Sequence, residues 1–135
     1  MFVVDASISL AWCFEDESTS ATDIVLHRLI IEGGIAPAHW PLELANALRF
    51  AAGSGRVDEQ AIARARSIVM ELPVDVLPVE TSTALGLIEP ARSHDLTVYD
   101  AAYLELADIR GLGLATLDKR LAAACRTVGV ALVAP

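Results

Sequence analysis

The sequence predicts a single α/β domain: a parallel β-sheet with helices covering both faces. Three observations carry this. Short apolar runs suited to buried strands, such as Phe2-Val3-Val4, alternate with longer stretches whose apolar residues recur at helical spacing. No internal repeat, low-complexity tract or linker divides the 135 residues, so residues 1–135 read as one domain. Hydrophobic residues make up 54% of the chain, enough for one substantial core, yet no apolar run approaches the ~18 residues of a membrane span.

Residues 2–5 read as a first strand ending in Asp5; with no basic residue before them, they do not resemble a signal peptide. Residues 7–14 suit a helix, and Glu15-Asp16-Glu17-Ser18 a solvated turn. Residues 21–32 place Ala21, Ile24, Val25 and Leu29 at helical spacing, and Gly33-Gly34 stops them. After a brief strand at 35–38, Pro41 suits the start of a helix running to about Ala52, closed by Gly53-Ser54-Gly55. Asp58 caps the next helix, which carries Ile62, Ala65, Val69 and Leu72 on one face. Residues 74–79 form a strand, and 81–94 a helix expected to kink or break at Pro90. The helix at 99–110 is amphipathic through Tyr99, Tyr103, Leu106 and Ile109, with both tyrosines expected in the core. A strand at 114–117, a helix at 119–128 with Leu121, Cys125 and Val128 inward, and a last strand at 130–133 complete a five-stranded sheet.

Composition excludes several function classes. Cys13 and Cys125 are distant and form no CxxC, which argues against a disulfide framework or zinc knuckle and makes a cytoplasmic location the expectation. His27, His39 and His94 show no paired metal spacing, and no Ser–His–Asp arrangement is legible. The net charge of −8 argues against gripping nucleic acid through basic side chains alone.

Four acids occupy equivalent local positions. Asp5 ends a strand, Glu43 lies just after Pro41 in a first helical turn, Asp100 opens a helix, and Asp118 stands between a strand and a helix. Each of the last three has an ordinary structural explanation. Asp118 is a good N-cap, Asp100 fits a capping box with Thr97, and Glu43 complements a helix dipole. Asp5 sits among apolar residues, where an unpaired charge is expensive. In a parallel sheet, however, strand ends and helix starts point to one edge, so four such acids converge unless topology separates them. Convergent carboxylates repel, and a hard divalent cation such as Mg²⁺ or Mn²⁺ relieves the repulsion. Two such ions about 4 Å apart can activate water and stabilise the leaving oxygen of a phosphodiester.

The residues around these acids resemble the PIN-domain nucleases and, within them, the VapC toxins of toxin–antitoxin pairs. The matching pieces are Val3-Val4-Asp5-Ala6-Ser7, Glu43-Leu44-Ala45-Asn46-Ala47-Leu48, Leu96-Thr97-Val98-Tyr99-Asp100-Ala101-Ala102-Tyr103 and Leu114-Ala115-Thr116-Leu117-Asp118-Lys119-Arg120-Leu121. They follow one another in family order across nearly the whole chain. The resemblance implies a Mg²⁺- or Mn²⁺-dependent endoribonuclease on a five-stranded parallel sheet, usually dimeric. It places Asp5 and Asp100 as principal metal ligands, with Glu43 and Asp118 completing the acidic site. Ser7 and Thr116 match hydroxyl positions beside the metal, and Asn46 a polar position one turn beyond the glutamate. Ala38-His39-Trp40-Pro41 departs from the commonest pattern and leaves the role of His39 open.

Lys119, the sole lysine, and Arg49, Arg56 and Arg120 are candidates for a phosphate-binding rim, although solvated helix surfaces explain them equally well. A toxin of this kind requires a small antitoxin, expected to lay an apolar helical segment between helices and deliver a basic side chain to the acids. Trp12, Trp40 and residues 21–31 are the surfaces expected to meet it. Two other readings compete. One is a phosphoryl-transfer protein with Asp5 as phosphoacceptor, which Ser7 and the placement of Lys119 fit poorly. The other is a catalytically silent interaction module, which four intact acids argue against.

Overall fold

The computed structural model describes residues 1–134. In chain order its elements are β1 (Phe2–Val4), α1 (Ala6–Cys13), α2 (Ser20–Glu32), β2 (Gly34–Pro37), α3 (Trp40–Gly53), α4 (Glu59–Glu71), β3 (Val74–Leu77), α5 (Thr81–Gly86), α6 (Ile88–Ser93), α7 (Val98–Arg110), β4 (Leu114–Ala115) and α8 (Lys119–Val128). The strands pair in parallel in the order β3-β2-β1-β4. The chain therefore builds outward from β1 to β3, then returns to place β4 on the other side of β1. Strand order reverses at that point, where parallel α/β sheets open a crevice beyond their carboxyl ends.

Four strands are described, not the five expected. Residues 130–133 contribute one parallel bridge, Leu114↔Leu132, held by Leu114 N–H donating to Ala131 O and Val133 N–H donating to Leu114 O, both at 2.9 Å. β4 spans only two residues and so offers too short a ladder for a neighbour to extend into a strand.

Strands β1, β2 and β4 are buried on both faces, as the centre of a parallel sheet requires, while the edge strand β3 exposes Asp75 and Val76. In β1, Val3 enters a cluster with Leu44 of α3, Tyr103 and Ala107 of α7, and Leu121 and Cys125 of α8. Phe2 and Val4 point the other way, into a cluster with Ile8 and Trp12 of α1 and Val25 and Leu29 of α2. Close packing at the start of β2 demands glycine: a Cβ at Gly34 would lie 2.6 Å from Leu29 Cδ1 and 2.8 Å from Val4 Cγ2.

Several local expectations shift. The break in the 81–94 segment falls at Leu87, and Pro90 is the third residue of α6, where its missing N–H forfeits no intrahelical bond. The buried face of α7 runs through Ala101, Ala102, Tyr103, Leu104 and Ala107, whereas Tyr99 is 61% and Ile109 70% exposed. The alanines bring the helix close to the sheet and rotate its inner face away from the 99–109 stripe. Likewise Ile24 and Val128 are exposed. Trp12 and Trp40 are buried, their indole N–H groups donating to Thr22 O at 2.8 Å and Ser9 Oγ at 3.1 Å. Neither tryptophan therefore offers the partner surface expected of it.

Candidate metal centre

Sheet register places Asp5 at the crevice. Its backbone N–H donates to Ala115 O of β4 at 3.0 Å, so the side chain emerges where β1 and β4 end together. The residue is only 3% exposed, and its charge is met by a relay of donors. Ser7 Oγ and Thr116 Oγ1 each donate to Asp5 Oδ2 at 2.6 Å. Behind them, Leu117 N–H donates to Ser7 Oγ at 2.9 Å and Asp118 N–H to Thr116 Oγ1 at 3.0 Å. Two backbone amides thus polarise two hydroxyls toward one carboxylate oxygen. No described hydrogen bond reaches Oδ1, which remains available for a ligand.

Glu43 lies in the first turn of α3, after Pro41. Tyr103 Oη donates to its Oε1 at 2.8 Å, and His39 Nε2 stands 3.3 Å from the same oxygen. Asp100 lies in the first turn of α7, below the N-cap Thr97, whose Oγ1 accepts from Asp100 N–H at 3.1 Å. This is the half of the expected capping box that the described hydrogen bonds contain. Asp118 is the N-cap of α8, its Oδ1 accepting from Leu121 N–H at 2.8 Å. Its structural role and its position at the crevice coexist.

All four acids line one cavity of about 310 Å³, together with Ala6, Ser7, Leu10, Asn46 and Ala47. Its electrostatics follow from that gathering. Partial burial raises the Glu43 carboxyl above its ordinary range; the Tyr103 hydrogen bond opposes this, and the Asp5 and Asp100 charges reinforce it. Burial likewise raises Asp100, with Thr97 opposing and the charges of Asp5 and Asp118 adding to the rise. Tyr103 is pushed far up by burial and by the neighbouring Glu43 charge, so it remains a proton donor to that carboxylate. Burial lowers His39, favouring its neutral form, against the opposing Tyr99 carbonyl and Asp5 charge.

The donor set tests which cation fits. Four carboxylates and an amide, with no thiol or imidazole lining the cavity, suit a hard ion such as Mg²⁺ or Mn²⁺ rather than zinc. Among the described residues no three His, Cys, Asp or Glu side chains already form a ready-made cation site.

The basic candidates do not gather here. Arg56 pairs with Asp16 at 3.1 Å and Glu17 at 3.4 Å and covers the Phe14 ring, while Arg120 reaches Asp95 at 3.5 Å. Lys119 and Arg49 are exposed and line no part of the cavity. Two of the four candidates are thus paired with acids at the surface, and none of the four lines the cavity. Sequence reasoning placed Tyr103 only in the core and left His39 without a role; the i,i+4 spacing of His39 and Glu43 was the available signal. A separate cavity of about 270 Å³, lined mainly by apolar side chains including Pro37, Leu77, Leu87 and Leu106, lies apart from these acids.

Comparison with known proteins agrees with this architecture. The PIN domain family model matches residues 2–126. Among solved structures, PAE2754 from Pyrobaculum aerophilum superposes with a TM-score of 0.70 at 27% identity, covering 91% of this chain and 84% of that one. VapC20 of Mycobacterium tuberculosis, a toxin that cleaves the sarcin–ricin loop, superposes with a TM-score of 0.69 at 19% identity, covering 100% of both chains. A search of curated proteins returned no match. From the family match over nearly its whole length, this chain belongs to the PIN domain family.

Proposed function

We propose that this protein is a Mg²⁺- or Mn²⁺-dependent endoribonuclease acting as the VapC-type toxin of a toxin–antitoxin pair. The observation that carries the reading is the convergence of Asp5, Glu43, Asp100 and Asp118, from four separate parts of the chain, on one cavity at the topological switch point. Membership of the PIN domain family supports it, as does the likeness of fold to a toxin that cleaves RNA.

In this reading Asp5 and Asp100 hold the ion, and Glu43 and Asp118 complete its surroundings directly or through water. What the ion supplies when bound is Lewis-acid polarisation of a phosphate oxygen and a water of lowered pKa. The chain's own residues do the rest. Ser7 and Thr116 fix the Asp5 carboxylate through Oδ2, so Oδ1 needs little reorganisation to accept a ligand. Tyr103 holds Glu43 by Oε1 and leaves Oε2 to accept a proton or a water hydrogen bond. Asn46 lines the same cavity and offers an amide to substrate or water. Lys119, Arg120 and Arg49 remain candidates for phosphate contact only from the exposed margin. A phosphoacceptor role for Asp5 is disfavoured, since no lysine lines the cavity.

The partners belong to the same proposal: an RNA substrate, a small antitoxin and a second copy of this chain. Of the surfaces expected to meet an antitoxin, α2 retains exposed Ile24, Ile30 and Ile31. Among the described residues no helix is long and apolar enough to cross a membrane. A cytoplasmic site of action is part of the proposal.

The deciding experiment is RNA cleavage by purified protein with Mg²⁺ or Mn²⁺, with chelator, and with Asp5→Asn. Cleavage that needs the ion and is lost in Asp5→Asn is expected. Cleavage that survives either change would refute the reading.

A further inference from the structure

His39 is the N-cap residue of α3, but its side chain does not cap that helix. Instead its ring crosses to α7. Nε2 lies 3.0 Å from the carbonyl oxygen of Tyr99, the residue immediately before Asp100, and 3.3 Å from Glu43 Oε1. A backbone carbonyl only accepts, so Nε2 is the protonated nitrogen and donates to Tyr99 O, with the Glu43 oxygen as a close polar neighbour. The ring is further wedged edge-on between two aromatic neighbours on α7, with centroids 5.4 Å from Tyr99 and 5.1 Å from Tyr103.

One N–H therefore ties the N-cap residue of α3, whose first turn carries Glu43, to the first turn of α7, which carries Asp100. These helices are far apart in sequence, and their acids repel across the cavity. We propose that His39 is a positioning residue that sets the separation of Glu43 and Asp100, and thereby the affinity of the acidic cavity for a divalent cation. This rests on the metal-binding reading above. The tether acts on the backbone, His39 holding the start of α7 against the start of α3 through Tyr99 O, while Tyr103 Oη grips Glu43 Oε1 from α7 at 2.8 Å. Partners of this kind tune metal sites without touching the ion.

Two substitutions isolate the N–H. The amide nitrogen of His39→Gln falls near the position of Nε2 and can still donate to Tyr99 O. That of His39→Asn falls near Nδ1 and cannot reach it. Both are small polar changes at a partly exposed ring, so folding is not the variable being tested. Mn²⁺ affinity is measured by calorimetry on wild type and both variants, with melting temperature without metal as a second readout. The expected result is a His39→Gln affinity close to wild type and a His39→Asn affinity weaker by about tenfold. Equal affinity in His39→Asn and wild type, even with a lowered melting temperature, would reduce His39 to a structural role and overturn the proposal. Equal weakening in Gln and Asn would overturn it as well. Absence of Mn²⁺ binding by the wild type would instead remove the metal reading itself.

Discussion

The Tyr103 hydroxyl donates to Glu43 Oε1 at 2.8 Å across 60 residues of sequence, from a ring with no solvent exposure to a carboxylate at the cavity. Tyr103→Phe keeps the packing and removes the donor. Hydrogen bonds to charged groups contribute roughly 1.5–3 kcal/mol, and Glu43 is partly exposed, so a loss near the lower figure is expected in denaturant unfolding at neutral pH. The Glu43 carboxyl should also rise further, because this hydrogen bond is what lowers it. Unchanged stability in Tyr103→Phe would show that the bond does not form in solution.

Thr116 joins two contacts, donating to Asp5 Oδ2 and accepting from Asp118 N–H. Thr116→Val leaves a buried carboxylate with one hydroxyl donor instead of two and strands an amide at the start of α8. Stability should fall by about 1–3 kcal/mol. Ser7→Ala should cost a similar amount, and the double variant should depart from additivity because both hydroxyls serve one oxygen. Strict additivity would contradict the shared relay.

The raised carboxyls make a pH prediction. Folding lifts the Asp100 value above its ordinary 3.8, so the folded state binds this proton more tightly than the unfolded state. The resulting destabilisation is complete above the folded value and disappears as pH falls toward 3.8. Metal-free Asp100→Asn should therefore melt higher than wild type at pH 7, by a few degrees, and the gap should close on acidification. Saturating Mn²⁺ should reverse the order, since it binds the native acids of the wild type. Scanning calorimetry over pH, with and without Mn²⁺, checks both signs.

Burial pushes the thiols of Cys13 and Cys125 up to about 11, so both stay protonated at neutral pH. A thiol reagent at pH 7.5 should modify neither cysteine in the native protein and both after denaturation. Rapid native labelling would show that these helices open more readily than their packing implies.

Much of the architecture is legible in local signals. Asp58, Thr97 and Asp118 accept the capping bonds their side chains advertise, and α8 begins and ends at the residues read from its pattern. Convergence of the four acids followed from strand ends and helix starts facing one edge of a parallel sheet. What escaped was set by tertiary packing. The inner face of α7 is decided by alanines that let it approach the sheet, which no hydropathy stripe records. Pairing of residues 130–133 depends on how much of β4 exists to pair with. Arg56 and Arg120 carried no sign that Asp16, Glu17 and Asp95 would engage them. Tyr103 meets Glu43, and His39 the Tyr99 carbonyl, only once α3 and α7 are packed together.

The central claim is that the carboxylates of one cavity hold a hard divalent cation. Anomalous diffraction at the manganese edge from crystals soaked in Mn²⁺ tests it directly. A peak in the cavity contacted by Asp5 and Asp100, and missing from Asp100→Asn crystals, is the expected result. Manganese bound elsewhere on the protein, or a cavity left empty at saturating Mn²⁺, would contradict the account.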